Sequence, residues 1–368
     1  MVHKQTSHKT TTITITHENK EHIDRRRTSP PPRSNPMIQL HRTLTTLFAL
    51  SRIVVEVVCF APQPPLQSPL TVRDKIARST SSRCQSNHLS MSTDKLCGDP
   101  PFLAVLTEPD ACVSVERIDE TVNAIERATI DGGVTLVVVR INNDGDGTSE
   151  NKWNLLKRLS ELKQQRLAEG NRDFLLVVNN DVELVLRAIS NNIDVDGVHV
   201  KEYNAHLIPD IRQKLQDALE DTIASTRNEI KQQQGIIIGT SCHSIQSALD
   251  SYNLTPRGPD YLFVGTCYLT QSHPEKTSLD QLEGPTLPGS IREILYQSFN
   301  VDRTDNGGSD LSRVCRKPPV IFAIGGIDEQ NCNEPVKYGA DGVATIRTVM
   351  QADDPRGAVK LMNTAMLN

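Results

Sequence analysis

The chain has 368 residues, more than one minimal domain needs and enough for an α/β barrel of ~250 residues plus an appendage. Aromatic residues make up 4% and the formal net charge is −5, so neither a nucleic-acid partner nor a membrane-surface partner is expected. The eight cysteines, at 59, 84, 97, 112, 242, 267, 315 and 332, never reach C-x-x-C spacing, which argues for reduced thiols over a zinc site or a disulfide framework.

Residues 1–98 are expected to be a disordered leader with a targeting presequence, and 99–368 the folded domain. Residues 1–36 are Thr, His, Lys, Arg and Pro with almost nothing apolar, so they cannot bury a core; they are disordered or precede a start at Met37. From Met37, a basic patch at His41 and Arg42, an apolar stretch and compact residues before Phe60 follow the order of a signal peptide. Arg52 and Glu56 interrupt that stretch and argue against a transmembrane helix. The C-F-A-P at 59–62 resembles the cleavage site of presequences addressed to the plastids of algae with secondary plastids. Residues 63–91, rich in Ser, Arg, Pro and Thr with Asp74 the only acid, have a transit-peptide composition. The plastid is the expected destination, the cytoplasm the alternative.

From Pro101 onward, apolar runs alternate with amphipathic segments, the pattern of repeated βα units. Strands are expected at 102–106, 134–139, 174–178, 196–200, 236–238, 261–264, 320–324 and 342–346. Helices lie between them, such as those carrying Ile118, Val122 and Ile125, or Leu155, Leu156, Leu159 and Leu162. Asp181 is placed to cap the third helix, and Asp354 with Pro355 opens the last. A long loop spans 265–289, and a Gly/Ser/Asp insert at 301–312 precedes strand seven. Eight strands in strict alternation with helices make a (β/α)8 TIM barrel, whose function gathers where the strands end.

Gly325 and Gly326 end strand seven and permit a close backbone approach. With the amides near Ile346 and Arg347 after strand eight they resemble a phosphate cup. Arg140 ends strand two, where a guanidinium can hold a carboxylate or phosphate. Asn179 and Asn180 end strand three and offer neutral amides, poor sole ligands for magnesium. His199, inside strand four, reads as a core group. Ser241 and His243 follow strand five in a turn: the hydroxyl can donate to a phosphate, and the imidazole can move a proton. Thr270, Ser272, His273 and Lys276 collect anion-binding side chains on one loop.

The runs V-N-N-D-V-E-L, D-G-V-H-V, I-G-T-S-C-H-S, D-Y-L-F-V-G-T, A-I-G-G-I and G-A-D-G-V-A, in this order from about Phe102 to Met362, resemble the thiamine phosphate synthase/TenI superfamily. The resemblance implies a barrel acting in thiamine biosynthesis. Synthases join a pyrimidine diphosphate to a thiazole phosphate; TenI proteins bind thiazole phosphates, and some isomerise the thiazole by proton transfer. The family's thiazole-phosphate positions are kept at Ser241, Gly325 and Gly326, with Arg347 in place of a smaller residue. His243 matches the proton-transfer base of the isomerising members, and L-E-G at 282–284 is similar to their loop six. The synthase's diphosphate and metal positions differ: Val138 and Asn142 flank Arg140, Asn180 and Asn204 stand where synthases carry Asp, and Lys276 is displaced by three residues.

A TenI-like enzyme without a cofactor is therefore expected, in which the cup holds a phosphorylated thiazole, Arg140 orients an acidic substituent and His243 shuttles the proton. Two alternatives stay open. One is a divergent synthase using Mg2+ and a diphosphate site rebuilt from Lys276, His273 and Asp181; the other is a non-catalytic barrel binding a phosphorylated thiazole or thiamine phosphate. No membrane partner is expected for the mature form, and a homo-oligomer is left open.

Overall fold

A computed structural model describes residues 95–96, 99–140, 148–170, 174–226, 235–304 and 317–368. The expected leader up to residue 94 and most of the 301–312 insert lie outside the described residues. Eight parallel strands close into a barrel in sequence order. They are β1 Phe102–Leu106, β2 Leu136–Val139, β3 Leu175–Asn179, β4 Gly197–Val200, β5 Ile237–Cys242, β6 Tyr261–Val264, β7 Val320–Ile324 and β8 Gly342–Thr345. Closure comes from β1 pairing with β8, Phe102 opposite Gly342 and Ala104 opposite Ala344. The connecting helices are α1 Val115–Thr129, α2 Ser149–Ala168, α3 Val182–Ser190, α4 Ile208–Thr226, α5 Ile245–Tyr252, α6 Leu287–Thr304 and α7 Asn333–Lys337, with α8 Arg347–Met350 and α9 Pro355–Leu367 after β8. The barrel expected from the sequence is thus present, with one short extra helix, α8, at the end of β8. Among the described residues, no helix is long and apolar enough to cross a membrane.

The period-two alternation of strand side chains sorts the core. Phe102, Ala104, Leu106, Leu136, Val138, Val177, Ile237, Tyr261, Phe263, Phe322 and Ala344 form one cluster, the barrel interior. Leu103, Val105, Val137, Val139, Leu176 and Val178, from the alternate positions, pack with Ile118, Ile125, Leu155 and Leu159 of α1 and α2. Each such side chain removed from water contributes about 1.5–3 kcal/mol. Gly239 lies beside Tyr261, where a Cβ would come within 2.0 Å of the ring carbon Cζ, so the glycine makes room for the tyrosine. The interior cluster also includes Leu96, buried at 3% exposure, and Lys95 bonds to Asp196 at 2.8 Å. The folded unit therefore takes in Lys95 and Leu96, before the boundary drawn at residue 99.

Three aspartates tie neighbouring strands together where the strands begin. Asp196 precedes β4; its N–H donates to the Leu176 carbonyl at 2.8 Å and its carboxylate accepts the Leu176 N–H at 2.8 Å. Asp260 repeats this with Ile238 at 2.7 and 2.8 Å, and Asp341 with Ile321 at 2.9 and 3.0 Å. Each buried charge has cationic partners: Lys163 at 2.6 Å and Lys95 for Asp196, Arg257 at 2.8 Å and Arg212 at 3.0 Å for Asp260, Arg292 at 2.6 Å for Asp341. Burial pushes the Asp196 carboxyl up, but the two lysines outweigh it and hold the group below the usual carboxylate range. For Asp341, burial wins over the Ile321 N–H, Arg292 and Lys317 together, and the group is raised. Asp196 therefore stabilises the fold at neutral pH, and the contribution is lost as pH falls below the ordinary aspartate range. Asp196→Ala, which takes the nearer carboxylate from the buried Lys163 and leaves it Asp194 at 3.1 Å, is expected to cost about 3 kcal/mol in urea unfolding of the full chain.

Candidate functional site

The site is built at the ends of the strands, and its first fixed point is the backbone of Arg140. The buried Thr107 hydroxyl, just past β1, accepts the Arg140 N–H at 2.8 Å and faces the Arg140 carbonyl at 3.2 Å. Arg140 is half-buried and makes no ion pair among the described residues. Burial first, then the positive charge of Arg347, lower its pKa, which places two like charges within reach of one another. Arg347, the first residue of α8, donates from Nη2 to the Thr270 hydroxyl at 2.9 Å and likewise has no carboxylate partner among the described residues. Two guanidiniums held this way can receive an anion.

The turn after β7 is rigid. The Ile327 carbonyl accepts the hydroxyls of Thr345 at 3.0 Å and Thr348 at 2.8 Å, and the Gly326 carbonyl accepts Asn331 Nδ2 at 2.9 Å. Gly325 and Gly326 have φ of 100° and 66°, left-handed values that favour glycine. The space before them differs from expectation. A Cβ on Gly325 would lie 2.6 Å from Thr266 Cγ2, and one on Gly326 2.6 Å from the Leu269 carbonyl oxygen. The glycines admit the loop after β6 as well as any ligand, and that loop docks on them through Cys267 N–H to the Ile324 carbonyl and Tyr268 N–H to the Gly325 carbonyl, both 2.9 Å. The amides of Gly326 and Arg347 have no acceptor among the described residues and remain for an anion beside Ile346.

Ser241 was expected in a turn and is instead part of β5, because the strand runs on to Cys242. Its hydroxyl meets His199 Nε2 at 2.9 Å, and His199 Nδ1 meets the Tyr261 hydroxyl at 3.2 Å. His199 also stacks on Phe263, with centroids 4.7 Å apart. Burial pushes the imidazole down to about 3, so it is neutral. The core role expected for His199 holds, and that role includes holding Ser241 in place.

His243 follows β5 and stands between two carboxylates. Its Nδ1 is 3.5 Å from Glu283 Oε1 and its Nε2 is 3.9 Å from Glu202 Oε2, while its backbone N–H donates to Glu202 Oε1 at 3.3 Å. Lys276 does not stand free for an anion. Its Nζ holds both Glu283 oxygens, at 2.8 and 2.7 Å, and touches the Thr266 hydroxyl at 3.3 Å. His273 turns outward to Glu275 at 2.9 Å and does not join the cluster. Thr270 faces the mouth through Arg347; Ser272 stays beside it, its N–H on the Thr270 hydroxyl at 3.3 Å. The sequence marked Glu202 only as a neighbour of a vacated metal position and Glu283 only as part of L-E-G; their meeting with His243, across 41 and 40 residues, is set by the fold.

Asn179 closes β3, and Asn180, at φ 55°, donates its N–H to the His199 carbonyl at 2.7 Å. Asp181 caps α3, accepting the Leu184 N–H at 2.9 Å. Magnesium prefers carboxylate oxygens. Here the stretches after β3 and β4 offer the amides of Asn180 and Asn204 with Asp181, one oxygen of which caps α3, and Glu202 beside His243. Among the described residues no three or more His, Cys, Asp or Glu are arranged to hold the ion.

The family described as thiamine monophosphate synthase, TMP-TENI, matches residues 104–287, half of the chain. The chain belongs to this family. A thiamine-phosphate synthase of Bacillus velezensis is 27% identical over 66% of this chain and 82% of its own length. A thiamine-phosphate synthase of Geobacillus thermodenitrificans is 28% identical over 65% of this chain and 83% of its own. A solved thiamine phosphate pyrophosphorylase from Pyrococcus furiosus is 22% identical, covering 75% of this chain and 97% of its own with a TM-score of 0.46. The family match includes Arg140, Ser241, His243 and the loop carrying Lys276 and Glu283.

Two outcomes test this geometry. The unfolded chain binds a proton at His199 below the ordinary histidine pKa, and the folded chain does not until about 3, so stability must fall as pH drops through that window. The slope is up to ~1.4 kcal/mol per pH unit below about 6.5. Urea midpoints between pH 7.5 and 5 should show it, and His199→Gln should lessen it. Arg347→Met is expected to weaken binding of inorganic phosphate about tenfold or more by calorimetry, the loss of one charge-assisted contact.

Proposed function

We propose that this protein is an enzyme of thiamine biosynthesis that binds a phosphorylated thiazole and isomerises it by proton transfer at His243. The observation that carries the reading is the placement of His243 between Glu202 and Glu283. A histidine there can accept a proton and pass it on with a carboxylate beside each ring nitrogen. Across the mouth, Arg140, Arg347 and the amides of Gly326 and Arg347 suit a ligand with a phosphate and a second acidic group. The amides would hold the phosphate, Arg347 would neutralise it, and Arg140 would orient the acidic substituent. The leader's order supports action in the plastid.

A second reading is favoured by the relatives. They are thiamine-phosphate synthases, and the similarity runs through the barrel. In that reading the arginine pair receives a diphosphate, and the neutral strand ends ask for a way of binding it that does not rest on carboxylate-held magnesium. One assay decides. The full chain is given a thiazole carboxylate phosphate alone, then a thiazole phosphate with hydroxymethylpyrimidine diphosphate and magnesium. Isomerisation in the first arm, lost by ~10²-fold or more in His243→Ala, is the expected result. Thiamine phosphate above background in the second arm would establish the synthase in its place. Ligand binding without turnover in either arm would leave a binding barrel.

A further inference from the structure

Glu283 lies in the loop after β6, outside every strand and helix, yet more polar contacts converge on it than on any neighbouring side chain of that loop. Both its oxygens take the Lys276 ammonium, at 2.8 and 2.7 Å; Oε2 accepts the Thr266 N–H at 2.5 Å; and its own N–H donates to the Thr266 carbonyl at 3.1 Å. Thr266 directly follows Gly265 at the end of β6, so the carboxylate is anchored to the barrel. Burial pushes the Glu283 carboxyl up, but Lys276 and the Thr266 amide outweigh it and keep the group below the usual glutamate range, hence ionised at neutral pH. What remains of its field points at one neighbour, Nδ1 of His243 at 3.5 Å.

We propose that Glu283 is a positioning residue for His243: it holds the ring with the proton on Nδ1 and so leaves Nε2 as the nitrogen that takes a proton from the substrate. Three observations support the assignment. Glu283 is the nearer carboxylate, 3.5 Å against 3.9 Å for Glu202. Its side chain is 17% exposed against 35% for Glu202, so its charge is less screened by water. The Glu202 carboxylate is partly taken up by the backbone N–H of His243 through Oε1. Among the described residues no further ion pair reaches the imidazole, and Lys276 acts on it through Glu283. A carboxylate beside one imidazole nitrogen favours the proton there and leaves the other nitrogen to accept one, the arrangement that proton shuttles need.

The chemistry rests on the isomerase reading and balances without an added reactant. A ring C–H bond of the heterocycle breaks, the proton passes to Nε2 and the electron pair stays in the ring. The imidazolium so formed lies between Glu283 at Nδ1 and Glu202 at Nε2. Nε2 then returns the proton to the second ring position, and nothing is oxidised or reduced.

The test reads the tautomer directly, so it does not wait on turnover. Long-range 1H–15N correlation spectra of the full chain, with the His243 signals assigned by His243→Gln, should show neutral His243 protonated on Nδ1. Glu283→Met should lose that preference. Lys276→Met, which breaks the same ion pair and loosens the same loop without removing the carboxylate, should retain it. In the isomerase assay, Glu283→Met should lower kcat by ~10²-fold with KM changed by less than about threefold. Nε2 protonation in the wild type, or an Nδ1 tautomer unchanged in Glu283→Met, would overturn the assignment, as would a kcat untouched by Glu283→Met. A wild-type chain with the Nδ1 tautomer and no turnover would overturn the isomerase reading and leave the placement of the proton standing.

Discussion

Three buried carboxylates before alternate strands govern the shape of this protein. Asp196, Asp260 and Asp341 each exchange two hydrogen bonds with one residue of the preceding strand, Leu176, Ile238 and Ile321 in turn. Parallel strands pair through slanted bonds that set register weakly on their own. A side chain that captures a particular amide across the gap chooses one register and excludes its neighbours. Because a slip by one residue would turn every interior side chain outward, the choice reaches the mouth of the barrel as well as its base. The cations around these aspartates offset the cost of burying them, fully for Asp196, where Lys163 and Lys95 outweigh burial, and incompletely for Asp341.

Much of this was legible in the chain. Apolar runs such as Val320–Ile324 and Tyr261–Val264 announce doubly buried strands, and helical stripes such as Ile118, Val122 and Ile125 announce what covers them. The end of β5 was harder to see. Gly239, Thr240 and Ser241 carry no apolar signal, yet they extend the strand because Thr240 and Ser241 find hydrogen-bond partners in the Val200 carbonyl and His199. The aspartates in D-G-V-H-V and G-A-D-G-V-A could be recognised as part of the family's pattern, but their bonding depends on residues about 20 positions away. Local pattern carries no trace of such a bond.

The site divides the same way. Glycines after a buried strand and an arginine at a strand end are local features, and Gly325, Gly326, Arg140 and Arg347 stand where the sequence placed them. Loop residues are another matter, since their partners are set by the path of the loop. Four donors close together in sequence end in three places: Thr270 on Arg347, Lys276 on Glu283, and His273 at the surface with Glu275. Electrostatics makes the division sharper. Among the described residues, the side of the mouth near β2 and β8 carries Arg140 and Arg347 with no carboxylate on either, while the side near β5 and β6 sets the carboxylates of Glu283 and Glu202 beside the imidazole. An anionic ligand entering this field has one orientation of lowest energy before any specific contact is made.

Leu96 sits at 3% exposure within the barrel interior, joined by Lys95 on Asp196, although both precede the first strand. The floor of the barrel is therefore closed by chain that a reader of strands alone would assign to the leader. A chain that began after Leu96 would lose that floor, open the barrel's hydrocarbon interior to water and take one of the two ammonium groups from the Asp196 carboxylate.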